Sequence, residues 1–377
     1  MSVLDRVTAA IWEAPSALAA RRGHPALARA LADGAWVRAW PPLAIVAPLL
    51  GLACGWYAAT SRSIYEQVFT ASMGLMVLLV VVAASGAFIG LLTMLAYAIG
   101  DLATYDHSFD GALLHPDGLA HIAYVIVPLL TTYVLLALLT VNIPLVAATV
   151  RRAVQQRGGA IAGVAAGVVA AFAVTWSWVA AAPHVLRSTY AYQSIWDAPV
   201  HGPTLIFTPI LDQGWTVVWA ATLAIAVRLV LQTLVERRLP ASALEPPAAA
   251  KAGAHPARIA LSVVLGAAFA FALVGAVAQT KSQFMLIAGV CIGTAVLRSA
   301  LLPFVPPYQR LAGRVPIAAR VAVAVGGTFV LAQLLAGDAS SPATNPSNSN
   351  ASLVLTIAVA APLVALLFPA TRPEATT

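Results

Sequence analysis

The chain is predicted to fold as an all-α, polytopic transmembrane helix bundle with about nine spans, within limits of eight to ten. Three observations predict it. Charged residues make up only 9% of the 377 positions, 60% are hydrophobic, and mean hydropathy is +0.87, outside the range of soluble globular domains. Two long stretches, 67–100 and 118–150, carry no Asp, Glu, Lys or Arg at all. The apolar segments are also continuous rather than alternating, which excludes a β-barrel and leaves helices as the way to satisfy the backbone in lipid.

Residues 1–39 come first and are expected to lie in the membrane interface. Val7, Ile11 and Trp12, then Leu27, Leu31 and Trp36, give them apolar faces interrupted by Arg, Pro15 and Pro25. The first long apolar run begins only near Pro41, too late for a secretory signal, so the chain is expected to insert through its own spans. Residues 40–377 are expected to form a single transmembrane domain. About 20 apolar residues are needed to cross the hydrocarbon, and this length places segments at 41–59, 67–100, 119–148, 159–181, 214–235, 257–279, 283–302, 315–336 and 352–371. The outer loops would be 101–118, 182–212 and 337–351.

Orientation follows from basic residues beside the spans. Arg151, Arg152 and Arg157 form one cluster; Arg237, Arg238, Lys251 and Arg258 a second; Arg310, Arg314 and Arg320 a third. Two spans separate each cluster from the next, which puts all three and the C-terminus in the cytoplasm and the acidic loop at 101–117 outside. The N-terminal third breaks the parity. Five arginines before residue 39 favour a cytoplasmic start, yet two spans before Asp101 would place that start outside. Three repairs are available: a split of 67–100 at Ser85-Gly86, disfavoured by the shortness of the halves; a re-entrant 41–59 segment, with Pro41, Pro42 and Pro48; or an external N-terminus. Nine helices are the working expectation.

The densest polar cluster is the loop holding Asp101, Asp106, His107, Asp110, His115, Asp117 and His121. Carboxylate oxygen and imidazole nitrogen are usual ligands of a divalent metal, so Asp106, His107, Asp110, His115, Asp117 and His121 are the candidate metal ligands, though their spacing matches no established motif. Thr131, Thr132 and Tyr133 in a span, with Tyr190 and Trp196 in the aromatic loop 182–212, are the candidate substrate-binding residues. Arg228, Arg298 and Arg320 lie within spans, near enough to cytoplasmic ends for the side chains to snorkel to the headgroups. Pro128 and Pro144 should kink or end the third span.

Gly86 and Gly90, Gly163 and Gly167, and Gly289 and Gly293 form Gly-x-x-x-Gly pairs, expected to pack helices closely, or to join copies or a partner. The lipid bilayer is the one partner that the composition requires. The net charge of +7 sits in juxtamembrane clusters and does not point to nucleic acid. Cys54 and Cys291 lie in spans and form no disulfide framework or cysteine metal site. No phosphate-binding loop, His-Glu-x-x-His helix or serine-nucleophile motif is present. No Asp or Glu falls within a span, which argues against ion-coupled carriers. The expected function is therefore a transporter, channel or permease-like subunit; the alternatives are a non-catalytic subunit of a larger complex, or an enzyme using the outer Asp/His loop. Abundant Ala, Val and Arg with little Lys suggest a bacterial inner membrane.

Overall fold

The computed structural model describes residues 3–21, 25–61, 73–104, 132–195, 204–236, 256–277, 281–302, 305–316, 319–320, 322–328, 330, 363 and 366–367. Among these the chain is all-helical, and five helices are long and apolar enough to cross a membrane. The chain divides into two compact units, and these five helices fall in the first, apart from residues 132–134. The first combines 1–114, 135–183 and 202–250; the second combines 115–134, 184–201 and 251–377.

The first unit opens with an arm of three short helices, α1 (Val3–Trp12), α2 (Ala14–Arg21) and α3 (Pro25–Ala32), and a 3-10 turn, Ala35–Ala39. Gly34 joins α3 to that turn with φ of 104°, a left-handed conformation that glycine adopts without steric cost. Three helices follow: α4 (Pro41–Thr60) and α6 (Ala87–Thr104), each long and apolar enough to cross a membrane, and between them the shorter apolar α5 (Met73–Ala84). Pro41 and Pro42 begin α4, where their missing N–H groups cost no helical bond.

The relative directions of α4 and α6 follow from their contacts. Gly51 lies against Ile89 and Thr93, Gly55 against Thr93 and Tyr97, and Gly100 against Trp56 and Ala59, so α4 and α6 run the same way. Between them the chain must double back. The Ser85 and Gly86 N–H groups donate to Val82 and Ala83 carbonyls in a tight turn, and α5 packs beside α4 and α6 rather than extending their axis. The split of 67–100 at Ser85-Gly86, disfavoured on length, is thus the break the chain makes. Its halves can be short because their turn is buried inside the bundle, closed over by the arm.

Next come α7 (Thr132–Gln156), α8 (Gly158–Ala180, whose helix continues to Ile195) and α9 (Gln213–Glu236). Gly159 breaks the helix at φ of 81°, and Gly163 and Gly167 then lie against Gln155, Arg151 and Ala147, which makes α7 and α8 an antiparallel hairpin. α9 returns along α8: Gly214 meets Val179, Phe172 packs on Trp215 and Trp219, and Gly167 meets Leu229. Pro144 does not end α7. A π-turn at Leu138–Asn142 precedes it and the helix resumes; Pro144 cannot donate to the Thr140 carbonyl, and that carbonyl lies against Gly90 of α6.

Size and polarity are distributed as lipid requires. Trp215, Trp219, Leu223, Val227, Val230 and Leu234 of α9 face outward, while Val217, Val218, Ala221, Ile225 and Leu229 face in. Interior contacts rely on glycine and alanine, because packing rather than water exclusion holds helices together in a bilayer.

The second unit contains α10 (Pro256–Val277), α11 (Lys281–Val296, ending in a π-turn at Leu297–Leu301) and α12 (Pro306–Arg314). Gly266 sits against Cys291 and Ile292, and Ser262 hydrogen-bonds Ser299, so α10 and α11 form a closely packed pair. The Tyr308 hydroxyl donates to the Leu366 carbonyl. Burial raises the Tyr308 pKa above that of a free phenol, against the lowering effect of Arg298 and Arg320.

Candidate functional site: a charged interior in the first unit

The α5–α6 turn would expose unpaired N–H groups at the start of α6, the usual state of a helix N-terminus. The arm supplies their acceptors. Asp33 Oδ2 accepts from the Ala87 N–H at 2.8 Å, and the Asp33 carbonyl accepts from the Phe88 N–H at 3.2 Å. A carboxylate is also the charge that a helix N-terminus favours. The other oxygen, Oδ1, accepts from Arg228 Nη2 at 2.6 Å. Arg228 Nη1 lies 3.4 Å from the carbonyls of Ala84 and Pro144.

This pair is buried on both sides, with side-chain exposure of 2% for Arg228 and 1% for Asp33. The Arg228 side chain therefore does not snorkel to the headgroups; it turns inward to a carboxylate. The other two in-span arginines differ: Arg298 is exposed, and Arg320 is half-buried with its Nε–H donating to the Val315 carbonyl at 3.0 Å.

The arm is held in place by aromatic side chains. Trp12 Nε1–H donates to the Ala44 carbonyl and Trp36 Nε1–H to the Ser85 carbonyl, each at 2.9 Å. Trp12 stacks edge-on against Phe88 with ring centroids 4.9 Å apart, and Ala35, Val37 and Ile89 complete the cluster. The arm's backbone comes close at Gly86, where an added methyl would stand 2.5 Å from Gly34 Cα.

A second charged group lies farther along α9. Arg151 of α7, 1% exposed, pairs with Glu236, whose side chain is 21% exposed, and donates through Nη1 to Thr233 Oγ1 at 2.7 Å. Gln232 Nε2 donates to the same Glu236 at 2.8 Å. Arg228, Gln232 and Glu236 are spaced four apart, so they share one face of α9. At about 1.5 Å of rise per residue, that face runs about 12 Å from the interior pair to the helix end.

The sequence-based candidates fall elsewhere. Asp106, His107, Asp110, His115, Asp117, His121, Thr131 and Trp196 lie outside the described residues. Tyr190 is in the helix that continues α8, and its side chain is not described. Thr132 is buried and Tyr133 half-buried in the first turn of α7, at the opposite end from Arg151. Among the described residues no three His, Cys, Asp or Glu side chains converge as metal ligands would. The interior residues that sequence reasoning missed are Asp33, Arg151, Gln232 and Glu236. One signal could have pointed to Asp33: an arginine eight residues inside a span needs a counter-charge, and the N-terminal segment holds acids.

No family model matches the chain, and neither a curated protein nor a solved structure does.

Proposed function

We propose that the chain is a transporter, channel or permease-like subunit of a bacterial inner membrane, with its C-terminus in the cytoplasm. The observation that carries this reading is the charged face of α9, running inward to a buried ion pair at a broken helix. Ionisable groups in a membrane interior are costly and mark solute pathways, and interrupted helices commonly frame transporter sites. The expectation that spans hold no carboxylate gives way at helix ends, with Asp101, 1% exposed, in the last turn of α6 and Glu236 at the end of α9, while Asp33 reaches the interior by way of the arm. In this reading the two helices that meet at Ser85-Gly86 count as separate crossings, which makes ten with both termini on the cytoplasmic side and accords with the five N-terminal arginines.

Thiol labelling tests the reading. In a background with Cys54 and Cys291 replaced by Ala, Gln232→Cys in the intact membrane protein should react with a small membrane-impermeant methanethiosulfonate. Leu136→Cys, equally enclosed but off the charged face, should not. A transport pathway must meet water in some state, so an inert Gln232→Cys would eliminate this reading.

A second reading, a membrane subunit of a larger assembly, is favoured by α11. Its Gly289 and Gly293 have nothing within 4 Å of where a Cβ would stand, and Met285 and Leu286 beside them are exposed. That face would suit a second helix, from another copy or a partner. Co-purification of a stoichiometric subunit, lost on Gly289→Leu, would support it.

A further inference from the structure

Where α7 meets the charged face of α9, three polar atoms have no hydrogen-bond partner among the described residues: Arg228 Nε and Gln232 Oε1 of α9, and Arg151 Nε of α7. All three belong to side chains no more than 2% exposed. An unsatisfied buried polar atom costs about 1–3 kcal/mol, and more when charged. Three of them along one helix–helix contact call for ligands, since native interiors leave few such groups unpaired.

The chemistry of the three identifies the ligand class. Two are donors and one is an acceptor, so a molecule bridging them must both accept and donate. Charge narrows it further: Asp33 balances Arg228, and Glu236 balances Arg151, which leaves no net charge to attract an ion. A neutral molecule able to accept from a guanidinium N–H while donating to an amide oxygen is water, and buried polar sites with two to four partners are where proteins hold it.

We infer that the face between Arg151 and Arg228 holds a short file of ordered waters, anchored by Arg151 Nε, Gln232 Oε1 and Arg228 Nε. The file joins the half-exposed Glu236 to the enclosed Asp33–Arg228 pair through hydrogen bonds. It stands apart from the transport reading, because ordered water needs no opening large enough for a thiol reagent.

Pulsed X-ray footprinting of the full chain in lipid nanodiscs tests the inference. Radicals generated from bound water oxidise neighbouring side chains that bulk solvent cannot reach. Leu229, between Arg228 and Gln232 in sequence, and Leu136 are both 0% exposed. Leu229 should be oxidised several-fold faster than Leu136, and Gln232→Met should reduce the rate at Leu229 towards that of Leu136. Equal rates at the two leucines in the unaltered chain, whether high or low, overturn the inference. So does a Leu229 rate that Gln232→Met leaves unchanged.

Discussion

Asp33 Oδ1 and Arg228 Nη2 meet at 2.6 Å across 195 residues of sequence, and each is almost wholly enclosed. The same carboxylate caps the start of α6. It therefore joins the arm, the α5–α6 reversal and α9 at one point. Removing one member of a buried pair strands the other charge, at about 3–5 kcal/mol. Arg228→Met should lower the unfolding midpoint in detergent steeply, Asp33→Leu likewise, and Asp33→Leu/Arg228→Met together by much less than the sum. A double-mutant cycle over thermal unfolding measures this, and additive effects would refute a direct pair.

Gly86 should tolerate no side chain. A methyl there stands 2.5 Å from Gly34 Cα and 2.8 Å from the Asp33 carbonyl oxygen, and backbone cannot swing aside as a flexible side chain can. Overpacking of this kind costs about 1–3 kcal/mol. Gly86→Ala should reduce the yield of monodisperse protein on size-exclusion chromatography. Gly289→Ala, which meets open space, should leave it unchanged.

The reversal at Ser85-Gly86 predicts the sidedness of the N-terminal third. A phosphatase reporter fused after residue 104 should be active, and one at residue 1 inactive, with a cytoplasmic fluorescent reporter giving the opposite pattern. A phosphatase active at residue 1 contradicts the ten-crossing arrangement.

Two ion pairs of similar geometry should differ sharply in value. Arg38 and Glu13 meet at 2.6 Å, but the Glu13 side chain is 56% exposed, so screening by water leaves the pair worth about 0–1 kcal/mol. Arg151 is enclosed and also holds Thr233. Glu13→Ala should therefore hardly move the melting temperature, whereas Arg151→Met should lower it clearly. Equal shifts would count against the burial argument.

The class of fold was legible in the sequence because lipid imposes a length and a polarity that any spanning helix must meet. Glycine pairs were legible as packing signals, and two of the three serve within the first unit: Gly86 and Gly90 against the arm and α7, Gly163 and Gly167 against α7 and α9. The length rule gave no sign of the reversal, since it treats each apolar run on its own, whereas the α5–α6 turn is finished by residues some fifty positions upstream. Charge reasoning misplaced Arg228 for a related reason. A pattern read along one span contains no information on which distant carboxylate will be folded against it, and Asp33 sits in a segment with the composition of an interfacial helix.

The distance in sequence between Asp33 and Arg228 also separates them in time. At about 5–20 residues per second of synthesis, the carboxylate leaves the ribosome about 10–40 seconds before its partner exists. During that interval the arm has no counter-charge to settle on, and the first unit can close only when α9 has entered the membrane. The last helix of that unit to be made thus decides when the first segment takes its place.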